Sequence, residues 1–324
     1  MPFAAKSFYL ISVRIIIIVG MFFPLNSNAQ VIGLKAPLSD TFENISEGRD
    51  LAFSNRETLV IENTRDVRSR YNNGTFTELK IINSSVESSN WTSATSYSLL
   101  IEDSLLLRAS LSFAIFPNAN ISNSVFSRSI MNNIDLTESS LSNADFSRAN
   151  LTSSDLSGNE IIASDFGDAQ MSFSMLSDSK IISSNFQDCT CNNADFNQAI
   201  LDNTSFQYAN LSSASLSRAE ISNANFVDSG LSFSDFSRSK ISTSDFVFSV
   251  SNNSDFSRSE LSNVDFSGAN LSSADFSNAK LTNVKFNNAS LSFANFRGAE
   301  FVNVTIDGAE FNNIELSNSI NSPF

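Results

Sequence analysis

The sequence predicts an all-β solenoid, in which a parallel β-helix winds in square coils of 20 residues. Three observations carry this prediction: an uninterrupted five-residue hydrophobic period, charges that alternate in sign at residues 20 apart, and a composition skewed towards phenylalanine. Phe supplies 30 of the 324 residues, against one Trp and four Tyr. Such a skew indicates a repeat and not an ordinary globular core.

The five-residue period determines the shape of one coil. Every fifth residue from Leu106 to Leu316 is apolar except Ser251, and a small residue stands two positions before nearly all of them. This period matches neither an α-helix nor an alternating strand. If two residues in five point inward and each group of five forms a flat side and a corner, four groups close a square. Successive squares then pair through the backbone at the ~4.8 Å spacing of strands.

A 20-residue coil makes residues 20 apart into stacked neighbours, and the charges test this consequence. Opposite charges directly opposed contribute about 0.2–1 kcal/mol per pair, whereas like charges are unfavourable. One wall of the interior would carry Phe in every coil from Phe146 to Phe286, and the wall before it Leu or Ile. The outward column alternates in sign with a single interruption: Glu160, Lys180, Ile200, Glu220, Lys240, Glu260, Lys280 and Glu300.

A period of 60 residues lies on top of the coil and marks a candidate binding surface. The segment Leu51-Ala-Phe-Ser recurs, with small changes, in every third coil. Its Phe lies two positions after the inward residue, where side chains point outward, at intervals of roughly 14 Å. These residues either form an exposed apolar stripe that binds a partner or fold over the corner onto their neighbours. This candidate binding stripe consists of Phe53, Phe113, Phe173, Phe233 and Phe293.

The five-residue groups resemble a known family. Segments such as Ala144-Asp145-Phe146-Ser147-Arg148 and Ala149-Asn150-Leu151-Thr152-Ser153 look like the pentapeptide-repeat family, whose motif is A(D/N)LXX, over at least residues 104–318. The resemblance implies a right-handed quadrilateral β-helix, which would have about 13 coils in this chain. The chain departs from the motif in using Ser as often as Ala at the small position and Phe unusually often at the large one.

The first 29 residues predict a cleaved signal peptide, so we expect a secreted, periplasmic or cell-surface protein. Lys6 and Arg14 precede a short apolar run over 15–23, and Ala29 ends a small-x-small cleavage pattern. This run is about half the ~20 residues that cross a bilayer, and no membrane span is expected. Removal of the two positive charges would take the net charge from −14 to −16.

Three further segments complete the expected organisation. A charged N-terminal cap is expected over 30–50, where it would cover the open end of the core. The repeat helix is expected over 51–318, with irregular coils near 54–100 because Arg56 and Asp66 break the five-residue rule there. A short C-terminal tail follows over 319–324.

The sequence predicts no enzyme, no catalytic residue and no cofactor. The chain contains no histidine, which excludes a Ser-His-Asp site, a His-ligated metal and an imidazole base. Paired carboxylates could still cleave glycosides, but the uninterrupted groups of five leave no insertion that could shape a cleft.

Stacked carboxylates and a cysteine pair are the remaining candidates for a metal site. Columns such as Asp235, Asp255 and Asp275 could hold Ca²⁺, but Arg238 and Arg258 form a neighbouring positive column, so a solvated ladder of mixed charge is expected. We predict no metal site.

Cys189 and Cys191 occupy the small and the large inward positions of one group. They could bind a metal or form a strained disulfide, but two buried thiols that fill core space are the expected state.

The expected function is that of a non-enzymatic secreted scaffold, a binding or structural protein at the cell surface or outside the cell. Its partner would be a macromolecule, either a protein or a surface polymer, and two copies can pair end to end as a homodimer. The negative net charge argues against nucleic acid as a partner. The family resemblance implies an alternative, because some members are acidic mimics of DNA that bind DNA gyrase. The alternating charges do not favour that mimicry, and sparse Thr does not favour ice binding.

Overall fold

The computed structural model describes the backbone of residues 38–43 and the whole of residues 49–324. The predicted signal peptide lies outside the described residues, as does most of the predicted cap. The described residues form no helix, and so contain none that could cross a membrane.

The described chain is an all-β parallel solenoid of about 12 turns of about 20 residues, within one turn of the expected number. One side of each coil carries a regular strand that pairs in parallel with the strands of the coils before and after it. The short strand β4 pairs with β3 beside this main path. The strands are β1 Leu38–Glu43, β2 Asn55–Glu62, β3 Thr75–Ile82, β4 Thr95–Ser96, β5 Leu99–Glu102, β6 Asn120–Ser122, β7 Ser140–Ser142, β8 Glu160–Ile162, β9 Lys180–Ile182, β10 Ile200–Asp202, β11 Glu220–Ser222, β12 Lys240–Ser242, β13 Glu260–Ser262, β14 Lys280–Thr282 and β15 Glu300–Val302.

The predicted 20-residue register is confirmed on all four sides. In the strands, Glu160 lies opposite Lys180 and Glu220 lies opposite Lys240. The other three sides are joined by isolated parallel bridges between residues 20 apart, of which Asp235 and Asp255 form one.

Each corner is a tight turn with one residue in the left-handed region of backbone space. Arg148, for example, has a φ of 58°, and the N–H of Ala149 donates to the carbonyl oxygen of Phe146 at 3.0 Å. A positive φ at the third residue of a turn closed in this way is the geometry of a type II turn. Asn fills many of these corners because its side chain tolerates this conformation best after Gly.

Two phenylalanine ladders fill much of the interior. In the first ladder, from Phe126 to Phe286, successive ring centroids lie 4.6–5.5 Å apart. In the second, from Phe236 to Phe296, they lie 4.8–5.0 Å apart. The two ladders meet edge to face, so both favoured geometries of aromatic pairs are used at once.

Many of the serines at the small position find hydrogen-bond partners inside the core, although the buried hydroxyl of Ser129 has none among the described residues. Ser239 Oγ donates to the carbonyl oxygen of Phe236 at 2.6 Å across a corner. At another corner Ser164 Oγ accepts the backbone N–H of Ala144, one coil earlier, at 3.2 Å. A buried hydroxyl with such partners costs little, which explains why Ser replaces Ala so often.

The first coils differ from the rest. In β2 and β3 the corner is straightened, so each strand extends over eight residues.

Asp66 occupies a large inward position, is fully buried, and accepts hydrogen bonds from Tyr71 and Ser69. Burial and the neighbouring Asp66 raise the pKa of Tyr71, so its hydroxyl remains a donor. The ring of Tyr71 stacks on Trp91 with centroids 3.9 Å apart.

The tail closes the other end of the core. The ring of Phe324 packs against Phe296, Phe301 and Phe311, with centroids 5.3, 5.9 and 5.4 Å away. The last residue of the chain thereby covers the end of the phenylalanine ladder.

Candidate binding face

The candidate binding stripe points outward. Between 55% and 75% of the surface of each of its five phenylalanines is exposed. All five occupy the same corner, with φ between 57° and 63°. The structure therefore favours the exposed arrangement over the packed one, while binding by the stripe stays a prediction.

These phenylalanines occupy a conformation that suits them poorly. A left-handed φ costs a residue with a Cβ atom about 1–2 kcal/mol, and bulky residues adopt it less readily than Asn. Along this corner Phe, Asn and Ser follow one another in strict order, as in Phe113, Asn133 and Ser153. An aromatic residue that returns at the same place, against a local preference and without burial, points to a role outside the fold.

Four of the five stripe phenylalanines, all but Phe53, border a side of the solenoid that carries no charge between Asn90 and Phe293. We call this side, with its corner, the uncharged face. Consecutive parallel bridges hold it in register along its whole length, from Asn90 through Gln170 to Ser290. Its outward side chains are Ser, Thr, Asn, Gln and a few apolar residues, together with the stripe phenylalanines from Phe113 to Phe293. It comprises residues 90–93, 110–113, 130–133, 150–153, 170–173, 190–193, 210–213, 230–233, 250–253, 270–273 and 290–293.

Hydrogen-bonded pairs of Ser and Asn on the uncharged face recur every 60 residues, as the stripe phenylalanines do. Ser112 Oγ donates to the amide oxygen of Asn132 at 2.7 Å, Ser172 does so to Asn192 at 2.7 Å, and Ser232 to Asn252 at 2.8 Å. Each pair begins directly before a Phe of the stripe. The amide oxygen is thus engaged, while no hydrogen bond involves the amide nitrogen of Asn132 among the described residues.

The remaining sides carry the charges, and these form mixed ladders. Lys180 lies 2.8 Å from Glu160, and Lys240 lies 3.4 Å from Glu220, as the alternating column predicts. On a different corner Arg148 pairs with Asp168 at 3.2 Å. All these groups are exposed, so each pair contributes little to stability.

The stacked aspartates accept backbone hydrogen bonds within the corners of the solenoid. The carboxylate of Asp235 accepts the N–H of Ser237 at 2.8 Å, and that of Asp255 accepts the N–H of Ser257 at 2.7 Å. Burial alone would raise the pKa of Asp265, but hydrogen bonds from Ser267 and Lys285 bring it below its ordinary value. Within residues 49–324 no cluster of three or more acidic or cysteine side chains could hold a metal ion.

The expectation of two free thiols is wrong. Cys189 and Cys191 form a disulfide, and both residues are buried. Their Cα atoms lie 5.6 Å apart, which is within the ordinary range for a disulfide, because the small and large positions of one group both point into the core.

The uncharged face is the feature that the sequence analysis missed. A signal for it is present, since the outward positions of this side contain no Asp, Glu, Lys or Arg between Asn90 and Phe293. It becomes visible only when outward residues are sorted by side, because every other side is charged and the whole chain has a net charge of −14.

Solved structures similar to this chain include several repeat proteins. HetL, a pentapeptide repeat protein involved in heterocyst differentiation regulation in the cyanobacterium Nostoc sp. strain PCC 7120, is 22% identical over 63% of this chain and 88% of its own, with a TM-score of 0.34. QnrB1, a plasmid-mediated fluoroquinolone resistance protein, is 22% identical over 67% of this chain and 91% of its own, with a TM-score of 0.28.

A third structure, a pentapeptide repeat protein from the thylakoid lumen of Arabidopsis thaliana, is 22% identical over 36% of this chain and 63% of its own, with a TM-score of 0.14. No curated protein matches the sequence significantly.

The repeats themselves identify the family. The family profile described as pentapeptide repeats matches the chain in eight copies, over residues 104–143, 119–158, 179–218, 205–242, 252–288 and 285–320. These matches cover more than half of the chain and coincide with the coils of the solenoid. The chain belongs to the pentapeptide-repeat family.

Proposed function

We propose that this protein is a non-enzymatic, exported scaffold that binds another macromolecule at the cell surface or outside the cell. The observation that carries the proposal is the stripe of five exposed phenylalanines, repeated every 60 residues along one corner. A periodic apolar stripe on an otherwise polar surface is typical of an interaction site. Repeat solenoids offer long surfaces of this kind.

The surface outside the stripe supports a binding role more than catalysis. Depressions in it lie between stacked side chains, and one of about 420 Å³ is lined by Lys240, Glu260 and Lys280 with their neighbours. Such a depression contains a ladder of opposite charges and does not bring together a nucleophile, a base and an oxyanion site.

Export is proposed from the first 29 residues, which combine basic residues, an apolar run and a small-x-small pattern. A disulfide between Cys189 and Cys191 is compatible with this proposal, because disulfides persist in oxidising compartments.

A gyrase-binding mimic of DNA is the second candidate, and the net charge of −14 favours it. The ion pairs Glu160–Lys180 and Glu220–Lys240 count against it, because a mimic of the phosphate backbone needs a surface of one sign. We therefore expect no inhibition of gyrase supercoiling by the purified chain.

The proposal is tested by capture of binding partners from the envelope and extracellular fractions of the source organism. The bait is the full chain, beside a stripe variant in which Phe113, Phe173, Phe233 and Phe293 are changed to Ser. The control variant carries Phe248→Ser and Tyr208→Ser, because these residues are also aromatic, exposed and at positive φ but lie on a different corner.

We expect a partner that is held by the parent and by the control but lost from the stripe variant. Equal capture by all three proteins would show that the stripe is not the binding site. Capture by none of them would contradict the proposed function.

A further inference from the structure

We propose that the ligand of the uncharged face is a neutral polysaccharide, an uncharged polymer of sugar rings. This inference rests on the proposed function, because it names the partner of the same surface. Three properties of the face carry it: its lack of charge, the chemistry of its side chains and its periodicity.

The lack of charge selects against ionic ligands. Between Asn90 and Phe293 the face contains no acidic or basic side chain, although the chain as a whole is strongly acidic. A uronate, sulfate or phosphate polymer would gain no ion pair on this face and would be repelled by the net charge of −14. An uncharged polymer meets neither obstacle.

The side chains provide the two kinds of contact that a sugar ring needs. The exposed ring of Phe113 offers a flat apolar surface against which the C–H groups of a pyranose can stack. Beside it the Ser112–Asn132 pair has its amide oxygen engaged, so the amide nitrogen is a donor held in place for a sugar hydroxyl. The same combination recurs at Phe173 and at Phe233.

A protein partner fits the face less well. The residues that supply most of the binding energy in protein interfaces are Trp, Tyr and Arg. The outward positions of the uncharged face contain none of these residues between Thr92 and Phe293. Its Ser, Thr and Asn side chains are short, so they remain close to the plane of the sheet.

The regular recurrence of these side chains along the uncharged face favours a polymeric ligand. The combination of Phe, Ser and Asn returns after three coils, roughly every 14 Å, in a constant orientation. One short ligand would contact a single unit, whereas a linear polymer can contact several units at once and gain affinity from each.

The test is affinity electrophoresis of the full chain through native gels that contain one polysaccharide each. The neutral probes are hydroxyethyl cellulose, a soluble β-1,3-glucan, a galactomannan and a neutral xylan. The acidic probes are polygalacturonate and alginate. The stripe variant and the control variant run beside the parent, and circular dichroism checks that all three are folded.

We expect at least one neutral polysaccharide to retard the parent and the control, and neither acidic polymer to do so. The stripe variant should bind at least tenfold more weakly, because it loses its stacking surfaces. Migration unchanged by every neutral probe, equal retardation of the stripe variant, or retardation by the acidic polymers would each overturn the inference.

This inference and the proposed function can fail separately. If no neutral polysaccharide binds, but the stripe variant loses a partner protein that the parent and the control capture, the scaffold function stands and the polysaccharide does not. If the parent captures no partner and no neutral polysaccharide retards it, both proposals fail.

Discussion

In this solenoid the outward residues at the corners can vary without disturbing the fold, whereas the inward residues cannot. The backbone conformation is the same at nearly every corner, yet the residues there include Asn, Arg, Asp, Ser and Phe. The side chain at this position contacts solvent, so it is free to vary. The interior has no such freedom, because each Phe of a ladder touches the Phe of the next coil.

The difference between inner and outer phenylalanines leads to a prediction of stability. Phe226 is fully buried between Phe206 and Phe246, with centroids 5.1 and 4.6 Å away. Phe226→Ala should lower the free energy of unfolding by about 3–5 kcal/mol, because it leaves a cavity in the ladder. Phe233→Ala, the matched control at an exposed corner, should change it by less than about 0.5 kcal/mol. Urea denaturation followed by circular dichroism measures both, and similar losses would contradict the assigned register.

The Asp265–Lys285 pair gives a prediction of pH dependence. The N–H and hydroxyl of Ser267 and the ammonium of Lys285 lower the pKa of Asp265, so its contribution to stability is present above the ordinary pKa of an aspartate. The contribution is lost as the pH falls through the lowered value. The stability difference between the parent and Asp265→Asn should therefore be full at neutral pH and shrink below about pH 4. Denaturation curves at several pH values test this, and a constant difference down to strongly acid pH would contradict it.

At the scale of the coil, the fold was predictable from the sequence, but the disulfide between Cys189 and Cys191 was not. Every inward position from Leu106 to Leu316 repeats, and the charge column from Glu160 to Glu300 reports the length of the coil independently. The two signals agree because one geometry generates both. The disulfide escaped prediction because the positions of Cys189 and Cys191 show that the sulfurs are close, but not that they are oxidised.

The candidate site was predictable in part. The 60-residue period located the five phenylalanines and their outward direction. Their exposure depended on the packing of the corner, where a side chain either lies over the next coil or stands free.

The coil as the structural unit leads to a prediction for deletions. Removal of residues 211–230 deletes one coil and joins Asn210 to Leu231 in register. Circular dichroism should show a folded solenoid with a melting temperature close to that of the parent, because all columns remain aligned. Removal of residues 211–215 shifts every later column by one side and should lower the melting temperature by many degrees. Equal melting temperatures would show that the columns do not stabilise the fold.

At the scale of the whole molecule, contacts are made almost entirely between neighbouring coils. The two end coils therefore differ from the others, because each has a neighbouring coil on one side only. β1 pairs with β2 at the first end, and Phe324 covers the ladder at the other. An uncovered solenoid end exposes unpaired backbone groups and apolar side chains that favour association.

The role of the tail can be tested by truncation. A chain that ends at Ser319 lacks Phe324 and should expose Phe296 and Phe301, so we expect it to associate end to end more strongly than the parent. Sedimentation velocity at several protein concentrations measures this association. The variant Phe324→Leu, which keeps an apolar cover, serves as control. A truncated chain that sediments like the parent at all concentrations would show that Phe324 does not protect the end.

The agreement between the 60-residue unit and three whole coils has an evolutionary consequence. An in-frame duplication or loss of one unit in the gene adds or removes three coils and one phenylalanine of the stripe, and it preserves the cross-section and the columns of inward residues. Recombination between neighbouring units can therefore produce longer and shorter alleles that fold equally well. Natural selection can then adjust the number of aromatic contacts without passing through a misfolded intermediate.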